Sequence, residues 1–105
     1  MTSALERHAA QLGALGHPVR LQILKYVVRA GARGAPAGEI QSRVDMPAST
    51  LSHHLKRLLQ AGLLQSHGEG TYHYYSADYG SLRKLTEYLW ENCCQCAAPP
   101  GSSKV

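Results

Sequence analysis

At 105 residues the chain has room for one domain with a modest core, because a chain of this size buries roughly 60–68% of its unfolded surface. A net charge of +4 and a pI near 9.2 make it mildly basic, which suits a polyanionic partner, and with Phe absent the packing falls to Leu, Val, Ile and Tyr. No apolar run approaches the ~18 residues of a membrane span and no hydrophobic signal segment opens the chain, so a cytoplasmic protein is expected. Residues 4–15 read as a first helix with Leu5, Leu12 and Leu15 on one side and Ala9 beside them. In so small a domain that stripe is a candidate dimer seam, and His8 on the same helix is expected to be solvated. A second helix spans Pro18 to Ala30, with Pro18 near its first position. Val19, Ile23, Tyr26 and Val27 form its buried face, and Arg20, Lys25 and Arg29 its outer one. Residues 31–36 form a loop with a solvated Arg33, leading through a short extended segment into the next helix.

From Glu39 to Leu64 the pattern is two helices and a tight turn. The first, Ala37 to Val44, carries Ile40 and Val44 on one face. Asp45, Met46 and Pro47 break it, since proline has no N–H to donate and fits best at a helix start. The second helix begins there, with Leu51, Leu55, Leu58 and Leu59 on one stripe and Gly62 placed for the left-handed residue that ends it. Short helix, turn and longer helix is the helix-turn-helix plan, whose second helix enters the DNA major groove. Opposite Leu51 point Ser49, His53, Lys56, Arg57 and Gln60. No residue from Pro47 to His67 is acidic. An idle solvated helix face usually mixes Glu with Lys, so this one reads as a DNA-facing surface.

Residues 63–67 read as a strand, residues 68–70 as a turn, and residues 71–76 as a second strand, together a hairpin wing. Tyr72 and Tyr74 share one face, His73 and Tyr75 the other. The wing tip offers Glu69 and no Arg or Lys, so little affinity for phosphate is expected there. The last helix is expected from Tyr79 to Cys94, with Leu82, Leu85 and Leu89 as its apolar stripe. On that wheel Cys93 and Cys96 fall near the stripe and Cys94 about 100° away. The Pro99-Pro100-Gly101 segment ends any helix, leaving residues 97–105 as a flexible tail.

Catalysis finds no support: there is no Gly-rich phosphate loop, the carboxylates are scattered, and the histidines lack metalloprotease spacing. Cys93 and Cys96 bracket two residues, but no strand precedes them as in a thioredoxin-like site. Cys93, Cys94 and Cys96 are the only cysteines, a poor disulfide framework. In a reducing compartment they suggest soft metal or metalloid binding, or redox sensing. Three thiolates without histidine suit trivalent arsenic or antimony, which prefers three sulfurs. Zinc normally needs a fourth ligand. Cadmium, lead, thiol oxidation, persulfidation and incidental thiols on a terminus stay as alternatives, as does a metalloid-buffering dimer that binds no DNA.

The segment PASTLSHHLKRLLQAGLL resembles the recognition helix of the ArsR/SmtB winged-helix repressors, where Ser-x-His-Leu-Lys precedes Leu-x-x-Ala-Gly-Leu; Ser52, His54, Leu55, Lys56, Leu58, Ala61, Gly62 and Leu63 match. GHPVRLQILKYV resembles the family's Asp-Pro-x-Arg-Leu-x-Ile-Leu helix, with His17 at the Asp position, and GEGTYHYYSA resembles its wing. The resemblance runs from about Leu12 to Leu89. It implies a mainly α winged helix-turn-helix, ordered α-α-α-α-β-β-α over residues 1–96, that forms a homodimer through its terminal helices and binds a palindromic double-stranded operator. Two of the family's sensing sites are missing: AGEIQSRV lacks the Cys-x-Cys of one subgroup, and residues 79–92 lack the histidines of another. Glu91-Asn92-Cys93-Cys94 resembles arsenic-sensing members, although the third thiol follows sooner here. The expected DNA contacts are Ser49, Thr50 and His53 on base edges, with Ser52, Lys56 and Arg57 on phosphate. The expected effector is As(III) or Sb(III) on Cys93, Cys94 and Cys96. Its capture would unwind the last helical turn beside the dimer seam and spoil the fit to DNA.

Overall fold

Ser3 sets the first helix of the computed structural model, which describes residues 3–96. Its hydroxyl accepts from the Glu6 backbone N–H at 3.1 Å, and the Glu6 carboxylate accepts from the Ser3 N–H at 3.0 Å. This capping box satisfies two N–H groups that a helix start leaves without partners. The elements are α1 (Ala4–Leu15), α2 (Pro18–Ala30), β1 (Ala35–Pro36), α3 (Ala37–Val44), α4 (Ala48–Gln60), β2 (Leu64–Glu69), β3 (Tyr72–Ala77) and α5 (Tyr79–Trp90). His17 caps α2, its Nδ1 accepting from the Val19 N–H at 3.2 Å, and Asp78 caps α5 through Ser81 at 3.0 Å. The winged helix-turn-helix expected from the sequence is present. The extended segment before α3 is a two-residue strand, so the sheet has three antiparallel strands in the order β1-β3-β2. The expected tail, residues 97–105, lies outside the described residues.

The core lies where α2, α3 and α4 meet the sheet. Ile23, Val27, Ile40, Leu58 and Leu63 are fully buried, and Leu24, Leu51, Leu55 and Leu85 nearly so. The end of α4 shows why its sequence stops where it does. Leu63 N–H reaches the Leu58 carbonyl at 3.1 Å and Gly62 N–H the Leu59 carbonyl at 3.0 Å, a Schellman pair made possible by Gly62 at φ +78°. Gly34 is needed for a different reason. A Cβ there would sit 2.1 Å from the Tyr75 carbonyl oxygen, so the loop can lie against β3 only without a side chain.

Several boundaries and placements differ from the sequence reading. Pro47 is the cap before α4 and not its first residue. The wing strands run further than expected, pairing Glu69 with Tyr72, so the turn is Gly70-Thr71 with Gly70 at φ +63°. Backbone pairing extends a hairpin as far as a two-residue turn permits, and that geometry outweighs the glycine at 68. His8 is buried, at 6% exposure, not solvated. Arg20 is not simply outward: its Nε and Nη1 are buried without hydrogen-bond partners. Leu85 belongs to the chain's own core, whereas Leu5, Leu12 and Leu89 are exposed. Most consequential, α5 ends at Trp90 and the cysteines lie beyond it.

Candidate nucleic-acid interface and cysteine cluster

Leu51, Leu55 and Leu58 anchor α4 in the core, and that anchoring decides which residues it offers outward. Ser49, Thr50, Ser52, His53, Lys56 and Arg57 are all exposed. The helix carries no acidic residue in its first turn and ends with Arg57 in its last. The outward surface therefore combines hydroxyls, an imidazole and two cations with nothing to repel phosphate. His54 points the other way. Its ring is 8% exposed, lies 4.8 Å from the His17 ring and 6.1 Å from that of His53, and its Nδ1 has no partner. Burial first, then His17, Arg20 and His53, push its pKa below the ordinary histidine value.

The turn before α4 is tied from within. Asp45 caps α3 in the left-handed region at φ 49°, and the Gln41 side chain donates to the Met46 carbonyl at 3.1 Å. In the wing, His67 and Tyr74 stack at 5.6 Å. Arg33 reaches across from the loop before β1, its guanidinium 5.4 Å from the Tyr74 ring centre and its Nη2 donating to the Tyr74 hydroxyl at 3.3 Å. The wing thus has a cation that its own strands lack. Glu69 lies 3.8 Å from His67 Nε2.

Past Trp90 the chain turns repeatedly. Glu91 is extended, Asn92 and Cys94 are left-handed at φ 60° and 66°, and Cys93 N–H bonds the Trp90 carbonyl at 2.9 Å. The helical i, i+3 relation expected for Cys93 and Cys96 therefore does not hold. The backbone turns place Cys93 and Cys94 together instead, with sulfurs 3.1 Å apart, and all three thiols are exposed. The neighbouring Cys94 sulfur, and then burial, push the Cys93 thiol upward in pKa. Among the described residues no group of three or more His, Cys, Asp or Glu side chains is gathered to hold a metal ion. Unwinding of the last helical turn cannot be the switch, because the cysteine segment is already non-helical.

A helix-turn-helix domain family model matches residues 15–67. An uncharacterized HTH-type transcriptional regulator of Methanocaldococcus jannaschii is 36% identical over 70 residues, covering 67% of this chain and 76% of that protein. The structure of an ArsR-like transcriptional regulator from Rhodococcus sp. RHA1 superposes with a TM-score of 0.69 at 26% identity, over 79% of this chain and 76% of that one. The homodimeric winged helix-turn-helix DNA-binding domain of a possible ArsR-family regulator from Mycobacterium bovis gives 0.66 at 27% identity, over 85% of this chain and 82% of that one. The chain belongs to the ArsR-type winged helix-turn-helix transcriptional regulators.

Within this ArsR-type regulator, two features escaped the sequence. Arg33 reads as a loop cation, and its place on Tyr74 depends on β1 pairing with β3 through Pro36 and Tyr74. His8 reads as a solvated residue on α1, and Gln11 carries no signal in the sequence. Their burial comes from α4 and α5 closing over α1, for which spacing within α1 carries no signal. Among the described residues no helix is long and apolar enough to cross a membrane.

Proposed function

We propose that this ArsR-type regulator is a cytoplasmic homodimeric repressor that holds a palindromic operator through α4 and releases it on capturing As(III) or Sb(III) at Cys93, Cys94 and Cys96. The observation that carries the DNA-binding half is the exposed, acid-free outer surface of α4. Ser49, Thr50 and His53 read base edges, while Ser52, Lys56 and Arg57 hold phosphate and fix the register. The exposed Leu5, Leu12, Leu89 and Trp90 are the surface for a second copy, and the homodimeric Mycobacterium bovis domain supports that assembly. Dimer geometry then sets the distance between two recognition helices, which must meet grooves about one helical turn apart.

The effector half rests on donor chemistry. Two soft sulfurs lie side by side and a third follows two residues later on an exposed, non-helical segment. Arsenous acid exchanges each hydroxide for a thiol sulfur, and each thiol proton leaves with that hydroxide as water, so no oxidant is needed. The pairing of only two sulfurs favours a second reading, in which oxidation or persulfidation of Cys93 and Cys94 is the signal.

Operator binding titrated with arsenite, antimonite, cadmium, lead, zinc and a mild oxidant tests both. Arsenite or antimonite is expected to release DNA at the lowest concentration, and replacement of Cys93, Cys94 or Cys96 by Ser is expected to abolish release while leaving DNA affinity near wild type. Release by the oxidant alone would establish the redox reading. A chain that binds arsenite but no duplex would be a metalloid buffer and would overturn the proposal.

A further inference from the structure

The recognition helix is held at its C-terminal end by a side chain from α1. Gln11 is 4% exposed, and its Nε2 donates to the Ala61 carbonyl at 3.1 Å. Ala61 is the residue on which α4 closes, and carbonyls at a helix end lack partners within the helix. The Gln11 Oε1 lies 2.9 Å from Nδ1 of His8, one turn earlier on α1. Since the amide oxygen only accepts, His8 carries its proton on Nδ1. The His8 ring, 6% exposed, lies 4.4 Å from the ring of Tyr88 on α5. The Tyr88 carbonyl in turn accepts the Glu91 N–H at 3.3 Å, the bond that closes α5 just before the cysteines. Tyr88, His8, Gln11 and Ala61 therefore form an unbroken line from the end of α5, where the cysteine segment begins, to the end of α4.

We infer that Gln11 is a positioning residue for DNA binding: it makes the placement of α4 follow the packing of α1 on α5, and the same line carries the state of the cysteine segment to the operator. A buried amide that satisfies two groups at once cannot move without leaving one of them unmet, which is costly. A shift of Tyr88 must then either pull α4 along or break the bond to Ala61. The second half of the inference rests on the thiol-sensing reading above, whereas the first stands on α1, α4 and α5 alone.

The test is a double-mutant cycle in operator affinity, with the full chain and a duplex selected from a random pool. Tyr88→Leu removes the ring that His8 packs on, and Gln11→Leu removes the amide. Each is expected to weaken DNA binding. Together they are expected to weaken it by less than the product of the two effects, by roughly threefold or more, as for residues on one network. Melting temperatures are measured alongside, because a merely structural Gln11 lowers stability while the two effects on DNA multiply independently. Independent effects, or wild-type affinity in Gln11→Leu, overturn the inference. If Gln11→Leu does not fold, Gln11→Glu replaces it, keeping an acceptor for His8 and losing the donor for Ala61. Sodium arsenite supplies the second arm. The ratio of affinities without and with arsenite is expected to fall toward one in the Gln11 variant, and an unchanged ratio overturns the transmitting role. A wild-type chain whose DNA binding ignores arsenite removes the metalloid-sensing reading, while the cycle still decides the role of Gln11.

Discussion

His54 stands between two competing demands. Its ring fills space behind the outward surface of α4, yet it is surrounded by His17, Arg20 and His53, with no carboxylate among the groups that shift it. Only the neutral form suits that setting, since a buried charge beside other cations has neither water nor a counter-ion. The sign of the pH effect follows. With the folded pKa below the unfolded value of about 6.5, the unfolded chain binds the proton more readily. The contribution of His54 is thus fully present above that pH and is lost as pH falls toward the lower, folded pKa. The melting temperature is expected to drop between pH 7.5 and pH 5.5, and the drop is expected to shrink in His54→Leu. An equal drop in the variant would show that other groups govern acid sensitivity. Arg20 adds to the same picture: its buried Nε and Nη1 hold positive charge near His54 without a partner of their own.

At the scale of the element, α4 divides its residues by which side of the Leu51-Leu55-Leu58 stripe they fall on. Lys56 and Arg57 are exposed cations, and their replacement by Ala should weaken binding to every duplex alike. The slope of log affinity against log salt should fall by about 0.9 for each phosphate that the variant no longer neutralises. His53→Ala should instead relax discrimination at one or two base positions, by roughly 1–3 kcal/mol for a good base contact. Binding titrations over a salt series, with the selected duplex and with a scrambled one, separate the two behaviours. Unaltered affinity and slope in Lys56→Ala/Arg57→Ala would remove α4 from the interface. In the wing, Arg33 lies on the Tyr74 ring while the strand end carries Glu69.

At the scale of the whole molecule, one copy leaves large apolar side chains in water. Leu5 is 64% exposed, Leu89 58% and Trp90 72%, all on the first and last helices, α1 and α5. Leu89→Glu should leave each copy folded and keep it monomeric, because the charge would enter the seam without a partner at a cost of several kcal/mol. Sedimentation and operator binding measure this together, and a monomer with wild-type operator affinity would contradict a dimeric DNA-bound form. Leu85→Glu answers a different question, since Leu85 is buried in its own chain and the charge there should unfold it. Wild-type melting temperature is expected to rise with protein concentration, as for any fold stabilised by association.

The presence of the helices, the helix-turn-helix and the hairpin follows from local periodicity, proline and glycine. The bounds of α1, α2 and α3 come out as the pattern of apolar spacing, Pro18 and the Asp45–Pro47 break require. The outward residues of α4 were legible for the same reason: one buried leucine stripe fixes the opposite face. The remaining features depend on packing between elements. Leu85 and Leu89 share a stripe on the helical wheel, yet one is core and the other exposed, because how far along α5 the covering by α1 and the core extends is not written in α5. The helical pattern of α5 runs on through the cysteines, and nothing between Trp90 and Cys96 is a proline or glycine to announce the break. The chain turns there through left-handed Asn92 and Cys94, conformations that local preference alone does not require. His8, Gln11 and Arg33 acquire their partners from segments distant in sequence, at Tyr88, Ala61 and Tyr74. Such contacts depend on how elements close over one another, and that closure is a property of the assembled molecule.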